Sequence, residues 1–467
     1  MANGKYSGWI DRGELRRLLS LMGPLYIANL LHMGMGVIDT IVAGRAGATE
    51  LAGVGLGAAV SAPVLVAVGM VLTITTPMIS RLRGAGNPGR IGALLHSGLH
   101  LAWFLMAVEL VALYLGSFIF DYVTDDAGMA HTARWYVYFM MTGVPASVLL
   151  RLIQGNFEGN GQVRPGMVTA LLGLGLNIPA NLAFVFGWGP LPALGGAGCG
   201  LATSIIHWGM MLGLLALMFA SRRHRQAAQC MVARRKPNRQ QVRKILRLGF
   251  PLGVASLCEM TFFSALTPVI APLGKMAVSA HQIVINMSGV VFMLPLSLSI
   301  ATSIRAAYHV GAQNRPAFTA LVRTAALSAA GVMSLFMLGL IYFREQIVSV
   351  YTTEREIVQI ALPLVTLCAV YQLSDATQAF MSGLLRACHD TKALTWVNIV
   401  SYWLVGFPIA VILIRTDWLC PQLGPAGAWV SFIVGLTLAA VLLLIRFTGT
   451  FRRTFPKGRE AAHRARS

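Results

Sequence analysis

Charge is scarce in this chain. Asp, Glu, Lys and Arg make up 12% of its 467 residues, and the acids are the scarcer sign at 17. Such a composition leaves no room for long solvated, charge-rich segments and points to apolar ones. Cysteine is also rare. Cys199, Cys230, Cys258, Cys368, Cys388 and Cys420 show no metal-type spacing, and most fall in or beside apolar stretches, where they read as packing residues. There is no G-x-x-x-x-G-K-[ST] loop, no H-E-x-x-H and no G-x-S-x-G. This weighs against ATP hydrolysis and the common membrane-enzyme chemistries without excluding an unfamiliar one. A small-residue cleavage site after a short apolar core is missing too, so the first apolar segment reads as an uncleaved anchor.

Hydrophobic residues, at 56%, dominate instead. They gather into twelve stretches, near 24–44, 51–78, 92–118, 132–150, 167–187, 197–219, 250–271, 278–303, 322–342, 357–383, 394–414 and 426–446. About 20 apolar residues in a helix cross a hydrocarbon layer of roughly 30 Å. Helices are expected because lipid offers nothing to an unpaired strand edge, and a barrel would show only short alternating segments.

The net charge of +20 follows the loops. Of the 37 Lys and Arg, only Arg45, Arg134, Lys275, Arg344, Arg355 and Arg415 fall on the predicted outer side, which leaves 31 on the inner side. The run "RRHRQAAQCMVARRKPNRQQVRKILR" at 222–247 is the largest inner group. The bias places both termini and the long central loop in the cytoplasm. The basic runs then report topology and contact with anionic lipid headgroups, with no nucleic acid as partner.

Laid on itself at an offset of 227, the chain pairs Gly23–Leu25 with Phe250–Leu252 and "GAGN" at 84–87 with "GAQN" at 311–314. At an offset of 229, Pro179 falls on Pro408 and "LGGAG" at 194–198 on "LGPAG" at 423–427. A register held this long marks a duplicated six-helix unit. Six being even, the halves are parallel repeats, a plan known in transporters with the site in a cavity between them. The expected organisation is an N-terminal half over 1–220, a basic cytoplasmic linker over 221–247, a C-terminal half over 248–447 and a basic cytoplasmic tail over 448–467.

Four acids fall well inside the spans: Asp39, Glu109, Glu259 and Asp375. An ionised carboxylate at a helix centre costs about 2.5–3.5 kcal/mol on insertion scales, so such residues face a cavity or a partner. Glu259 and Asp375 belong to spans seven and ten and form the sharpest candidate pair. Two carboxylates in one dry pocket repel and compete for a proton or a Na⁺ ion. Tyr371, one turn before Asp375, could lend an oxygen or a ring face to a cation. Asn177 and Asn181 share one face of span five, with Pro179 between them, and could form a polar cluster with Asp39 or only interhelical bonds. Glu109 has no obvious partner and reads as structural. His96 and His100 lack a third ligand at metal-site spacing, so they read as helix-end packing. "GVGLG" at 53–57 has no strand before it and reads as close helix contact, not a nucleotide loop. The 22 methionines could line an adaptable cavity.

These features, with "QGNFEGNGQVRP" (154–165) after span four and "SGLLRACHDTK" (382–392) after span ten, resemble the multidrug and toxic compound extrusion family over nearly the whole chain. An acid in span one, Glu in span seven and Asp in span ten are similar to its NorM-type branch. By that resemblance Asp39 is the first-half acid, Glu259 and Asp375 are the ion site, Tyr371 is an aromatic beside the ion, and Phe292 falls where the branch has another, without the hydroxyl some relatives carry. Glu158 departs from the family pattern, in a loop that concerns conformation more than the ion.

The resemblance implies a secondary active transporter and no enzyme: a monomeric inner-membrane antiporter without a cofactor, driven by Na⁺ or H⁺, that expels amphipathic, mostly cationic organic compounds. A lipid-linked sugar flippase of the same superfamily would favour basic residues at the midplane. An integral-membrane enzyme would favour clustered His and Asp at one interface. A major-facilitator transporter would place an acid within "RLRGAGNPGR".

Overall fold

The computed structural model describes residues 10–189, 192–233, 236–418 and 421–456; Cys420 lies outside them. All regular elements of the described residues are helices. Twelve are long and apolar enough to cross a membrane: α1 (Arg12–Ala46), α2 (Ala48–Gly84), α3 (Pro88–Val123), α4 (Ala127–Gly159), α5 (Arg164–Phe186), α6 (Gly195–Ala220), α7 (Arg239–Leu273), α8 (Lys275–Gly311), α9 (Arg315–Tyr342), α10 (Arg355–Ala387), α11 (Thr391–Arg415) and α12 (Pro425–Thr454). The chain is therefore an all-helical, multi-pass integral membrane protein, with one helix on each of the twelve predicted spans.

Helix ends are where sequence and structure part. The span expected at 278–303 is α8, which is 37 residues long, or about 55 Å at 1.5 Å per residue. An apolar window stops where the hydrocarbon stops, whereas a helix continues as long as its backbone finds partners. Gln154–Gly159, expected in a loop, is thus the end of α4, and Ser382–Ala387 is the end of α10. Glu158 consequently sits on the last turn of α4, where it accepts a bond from the Thr76 hydroxyl at 3.4 Å. Arg239–Arg247, within the expected linker, forms the first turns of α7, and a short helix, Arg225–Met231, precedes it. Local chemistry starts several helices: Asp126 Oδ1 accepts from the Gly128 and Met129 N–H groups at 2.9 and 3.1 Å, and Asn314 caps α9 through the Ala317 N–H.

The duplication reappears in the backbone. Left-handed φ angles recur in pairs at offsets of 227 to 229: Gly47 with Gly274, Gly86 with Gln313, Gly161 with His389, and Gly195 with Gly424. Their hydrogen bonds recur too. Asn87 N–H reaches Leu82 O as Asn314 N–H reaches His309 O, and Leu194 N–H reaches Phe184 O as Leu423 N–H reaches Leu413 O. The first of these is the six-to-one bond that closes a helix through a left-handed residue.

The residues gather into two compact units, one of Ile27–Gly253 and one of Val254–Ser467 with Met1–Tyr26. α1 and α7 are each divided between the units, at positions 227 apart, close behind Pro24 and Pro251. A proline removes one ladder bond and loosens the helix at that point. In the second unit the start of α1 is held by charge. Arg305 Nη2 of α8 lies 2.6 Å from Glu14 Oε1 and 2.8 Å from Oε2, and both side chains are largely buried.

Candidate functional site

In the unit of Ile27–Gly253, the polar cluster forms around Asp39, which α1 delivers to a buried position. Asn181 Nδ2 of α5 donates to Asp39 Oδ1 at 2.7 Å, and Asn177 Nδ2 approaches the same oxygen at 3.4 Å. Thr203 Oγ1 of α6 donates to Asp39 Oδ2 at 2.9 Å. Cys199 Sγ reaches the Asp39 backbone oxygen at 3.5 Å. Two helices, α5 and α6, thus solvate one carboxylate of α1 in place of water, as a buried acid requires. The sequence anticipated the two amides and missed Thr203. Glu109 of α3 is more isolated: it is 1% exposed, neither carboxylate oxygen accepts a hydrogen bond, and the charge of Arg151 on α4 acts on it.

The other unit contains a different arrangement. Asp375 of α10 is 1% exposed, and neither of its oxygens completes a hydrogen bond. Glu259 of α7 is half-buried, and its charge is near enough to act on Asp375. Tyr371, one turn earlier on α10, is buried and also acts on that carboxylate without completing a bond. Rings pack around Tyr371. Tyr371 lies 5.8 Å from Trp429, 6.2 Å from Phe432 and 6.3 Å from Phe263, centroid to centroid. Phe263 lies 4.6 Å from Phe432, and Phe262 stacks on Tyr402 at 5.3 Å. Phe292 is partly buried on α8 and enters none of these ring pairs.

Sequence reasoning missed several polar groups here. The Tyr402 hydroxyl, the Trp429 Nε1, the Gln372 Oε1 and both ring nitrogens of His281 are buried without hydrogen-bond partners. Such orphans are rare in folded proteins and mark places where water or an ion belongs. Of these groups, Tyr402 is close enough to feel the charges of both Glu259 and Asp375.

The remaining patterns resolve into packing. His100 Nδ1 lies 2.9 Å from the His96 carbonyl, and His96 Nδ1 lies 3.0 Å from that of Met231. Gly53 and Gly57 of α2 press on α4, where an added Cβ would stand 2.6 Å from the Thr132 Cβ and 2.7 Å from the Tyr136 Cδ1. All five described cysteines are free; Cys199 and Cys368 are buried.

Twelve apolar helices, a duplicated six-helix unit and buried acids held on helix faces describe a membrane transporter rather than an enzyme. The chain belongs to the MatE family, whose model matches residues 24–183 and 251–412, once in each half. It is 36% identical over 448 residues to the probable multidrug resistance protein NorM of Idiomarina loihiensis, covering 95% of this chain and 96% of that protein. It is 35% identical over 437 residues to the multidrug resistance protein MdtK of Proteus mirabilis, covering 92% and 94%. Among solved structures, the eukaryotic MATE transporter AtDTX14 matches with a TM-score of 0.85 at 19% identity, over 95% of this chain and 98% of that one. An outward-facing multidrug resistance MATE transporter of the MOP superfamily matches at 0.83 and 18%, over 94% and 96%.

Proposed function

We propose that this protein is a multidrug exporter of the inner membrane, with cytoplasmic termini, that exchanges Na⁺ or H⁺ for amphipathic, mostly cationic organic compounds. The reading rests above all on Asp375, a carboxylate almost without exposure whose oxygens complete no hydrogen bond, with the Tyr371 hydroxyl and the Glu259 charge near it. A bare buried charge costs several kcal/mol unless a counter-charge joins it. A proton or a Na⁺ ion shared with Glu259 supplies that counter-charge, and Tyr371 offers a further oxygen. Relatives with 35–36% identity that are named as multidrug resistance proteins support the cargo class.

The packing of the rings separates ion from drug. With neighbouring centroids 4.6–6.3 Å apart, the rings packed about Tyr371 leave no room among them for an organic molecule. Ion and drug are then coupled because each favours a different conformation of the protein, and the coupling is bounded by that difference in affinity. One elementary charge moving down 100 mV supplies about 2.3 kcal/mol, so an ion gradient suffices as the driving force. Asp39, already solvated by Asn181 and Thr203, serves as the acid of the first half and, with Asn177, as a polar contact for cargo; Phe292 is an apolar one.

The test is efflux of a fluorescent organic cation from proteoliposomes with a Na⁺ gradient and a pH gradient imposed separately. Export under one gradient alone identifies the coupling ion. Export under neither overturns the antiport reading. Ion-driven export that survives in the Glu259→Gln, Asp375→Asn double variant overturns the assignment of the ion site.

A further inference from the structure

α11 is not α-helical throughout. From Ile399 to Gly406 it is wound as a π-helix, and the Phe407 N–H that ends this stretch donates to Tyr402 O, five residues back. Pro408 follows and cannot donate to the carbonyl of Leu404, so an ordinary ladder is broken at this point in any case. π turns are rare and concentrate at functional sites, where they re-aim side chains.

Here the re-aiming has a target. Asn398 Nδ2 donates to the Ala255 carbonyl at 3.2 Å, and Trp403 Nε1 donates to the Cys258 carbonyl at 3.2 Å. Both acceptors lie on α7. Cys258 directly precedes Glu259, and Ala255 is one turn before it. In an α-helix, two residues five apart point about 140° away from each other around the axis. Winding the turn wider, with i to i+5 bonds, brings Asn398 and Trp403 toward one face. The contact is close: a Cβ on Gly406 would stand 2.9 Å from the Phe262 Cζ of α7. A donor added to a helix carbonyl tilts that carbonyl out of the ladder and bends the axis locally. Two such donors, on successive turns, set the direction of α7 where Glu259 leaves it.

We infer that Asn398 and Trp403 are positioning residues for Glu259, presented by the π turn of α11 and acting through the backbone of α7. The inference rests on the reading of Glu259 as part of the ion site. Neither side chain touches the ion; each fixes where the carboxylate stands relative to Asp375. Loss of either donor therefore weakens ion use while leaving drug binding and the transport step itself intact.

The experiment uses the full-length protein in proteoliposomes, with initial export rates measured against the concentration of whichever cation drives export. Trp403→Phe keeps the ring and its contact with Phe407 but removes the N–H. It is expected to raise the half-saturating cation concentration about tenfold, the size of losing one such hydrogen bond, with the maximal rate and the half-saturating drug concentration unchanged. Asn398→Ala gives the same split and serves as the measurement if the tryptophan variant does not fold. In a Glu259→Gln background neither substitution has a further effect. If Glu259→Gln leaves ion dependence unaltered, the ion-site reading falls. If Glu259→Gln abolishes it while Trp403→Phe and Asn398→Ala keep the wild-type half-saturation, or change only the maximal rate, the positioning role falls.

Discussion

The glycines of α2 offer a comparison with its control built in. Gly53, Gly55 and Gly57 occupy one stretch of the helix, yet they face different surroundings. A Cβ on Gly53 would stand 2.6 Å from the Thr132 Cβ and 3.0 Å from the Met129 carbonyl oxygen. On Gly57 it would stand 2.7 Å from the Tyr136 Cδ1 and 3.1 Å from the Ala133 carbonyl oxygen, and on Gly55 it meets nothing within 4 Å. Thr132 cannot turn aside freely, because its hydroxyl donates to Glu50 Oε2 at 3.1 Å, and that oxygen accepts from the Gly196 N–H at 2.6 Å. Overpacking a close helix contact costs about 1–3 kcal/mol, whereas alanine in place of glycine in an open helix position gains up to about 1 kcal/mol. Gly53→Ala and Gly57→Ala should therefore lower the thermal midpoint of the purified protein in detergent. Gly55→Ala should leave it unchanged or raise it. Gly53→Ala should be the worse of the two, since the Tyr136 ring can tilt and the Thr132 Cβ cannot. A Gly53→Ala variant as stable as wild type, or a Gly55→Ala variant as damaged as Gly53→Ala, refutes the packing argument.

Two further expectations concern loops between the spans. His224 is held neutral: Asn160 Nδ2 donates to Asn156 Oδ1, which orients the Asn156 amide to donate to His224 Nδ1 at 3.1 Å, while His224 Nε2 faces Gln162 Oε1 at 2.7 Å. Burial, with Arg223 and Arg83 nearby, pushes its imidazole down to about 4 from an ordinary 6.5. A lowered folded-state value means the released loop takes up its proton first. The docking of residues 221–224 is therefore complete above about pH 6.5 and lost progressively toward about pH 4; hydrogen-exchange protection across these residues that is the same at pH 7.5 and pH 5, once corrected for the intrinsic rate, refutes this. Gln313, at φ 51, stands where the first half has Gly86 at φ 71. A side chain in that conformation costs about 1–2 kcal/mol, so Gln313→Gly should raise the thermal midpoint and Gly86→Ala should lower it. The opposite order of midpoints would show that the turn carries no strain.

What was legible beforehand followed from rules that a membrane enforces strictly. Twelve spans could be read because apolar length has few other uses, and Asn177 and Asn181 could be placed with Asp39 because amides on one helix face need partners. Thr203 escaped notice because a threonine in an apolar helix commonly bonds its own backbone and so carries no signal. Trp403 and Asn398 were missed for a different reason: they come toward one face only through a π turn, and a reading at 3.6 residues per turn sets them about 140° apart. The ends of α4 and α10 were misplaced because hydropathy measures contact with lipid and is silent on where a backbone stops being helical.

The same offsets that establish the duplication also show where it ends. Asp39 corresponds to Leu266 and Glu259 to His32 at 227, Asn177 and Asn181 to Gly406 and Ala410 at 229, and Asp375 to Ser147 at the intermediate 228. The left-handed turns and the bonds that close them are held in both halves, so the backbone plan survived with its chemistry replaced. One half surrounds its acid with three donors, and the other leaves its acid bare among aromatic rings. Asp39, with three donors, is satisfied without any ion, whereas a buried carboxylate that completes no hydrogen bond calls for a counter-charge: Arg151 acts on Glu109, and for Asp375 the proposed reading supplies a proton or a cation. On the proposed reading, exchange of a cation at Glu259 and Asp375 changes the electrostatic balance of the second half directly and of the first half only through the conformation. An asymmetric stimulus of this kind is what a two-state transporter needs, because a ligand that served both halves and both states equally would shift no population.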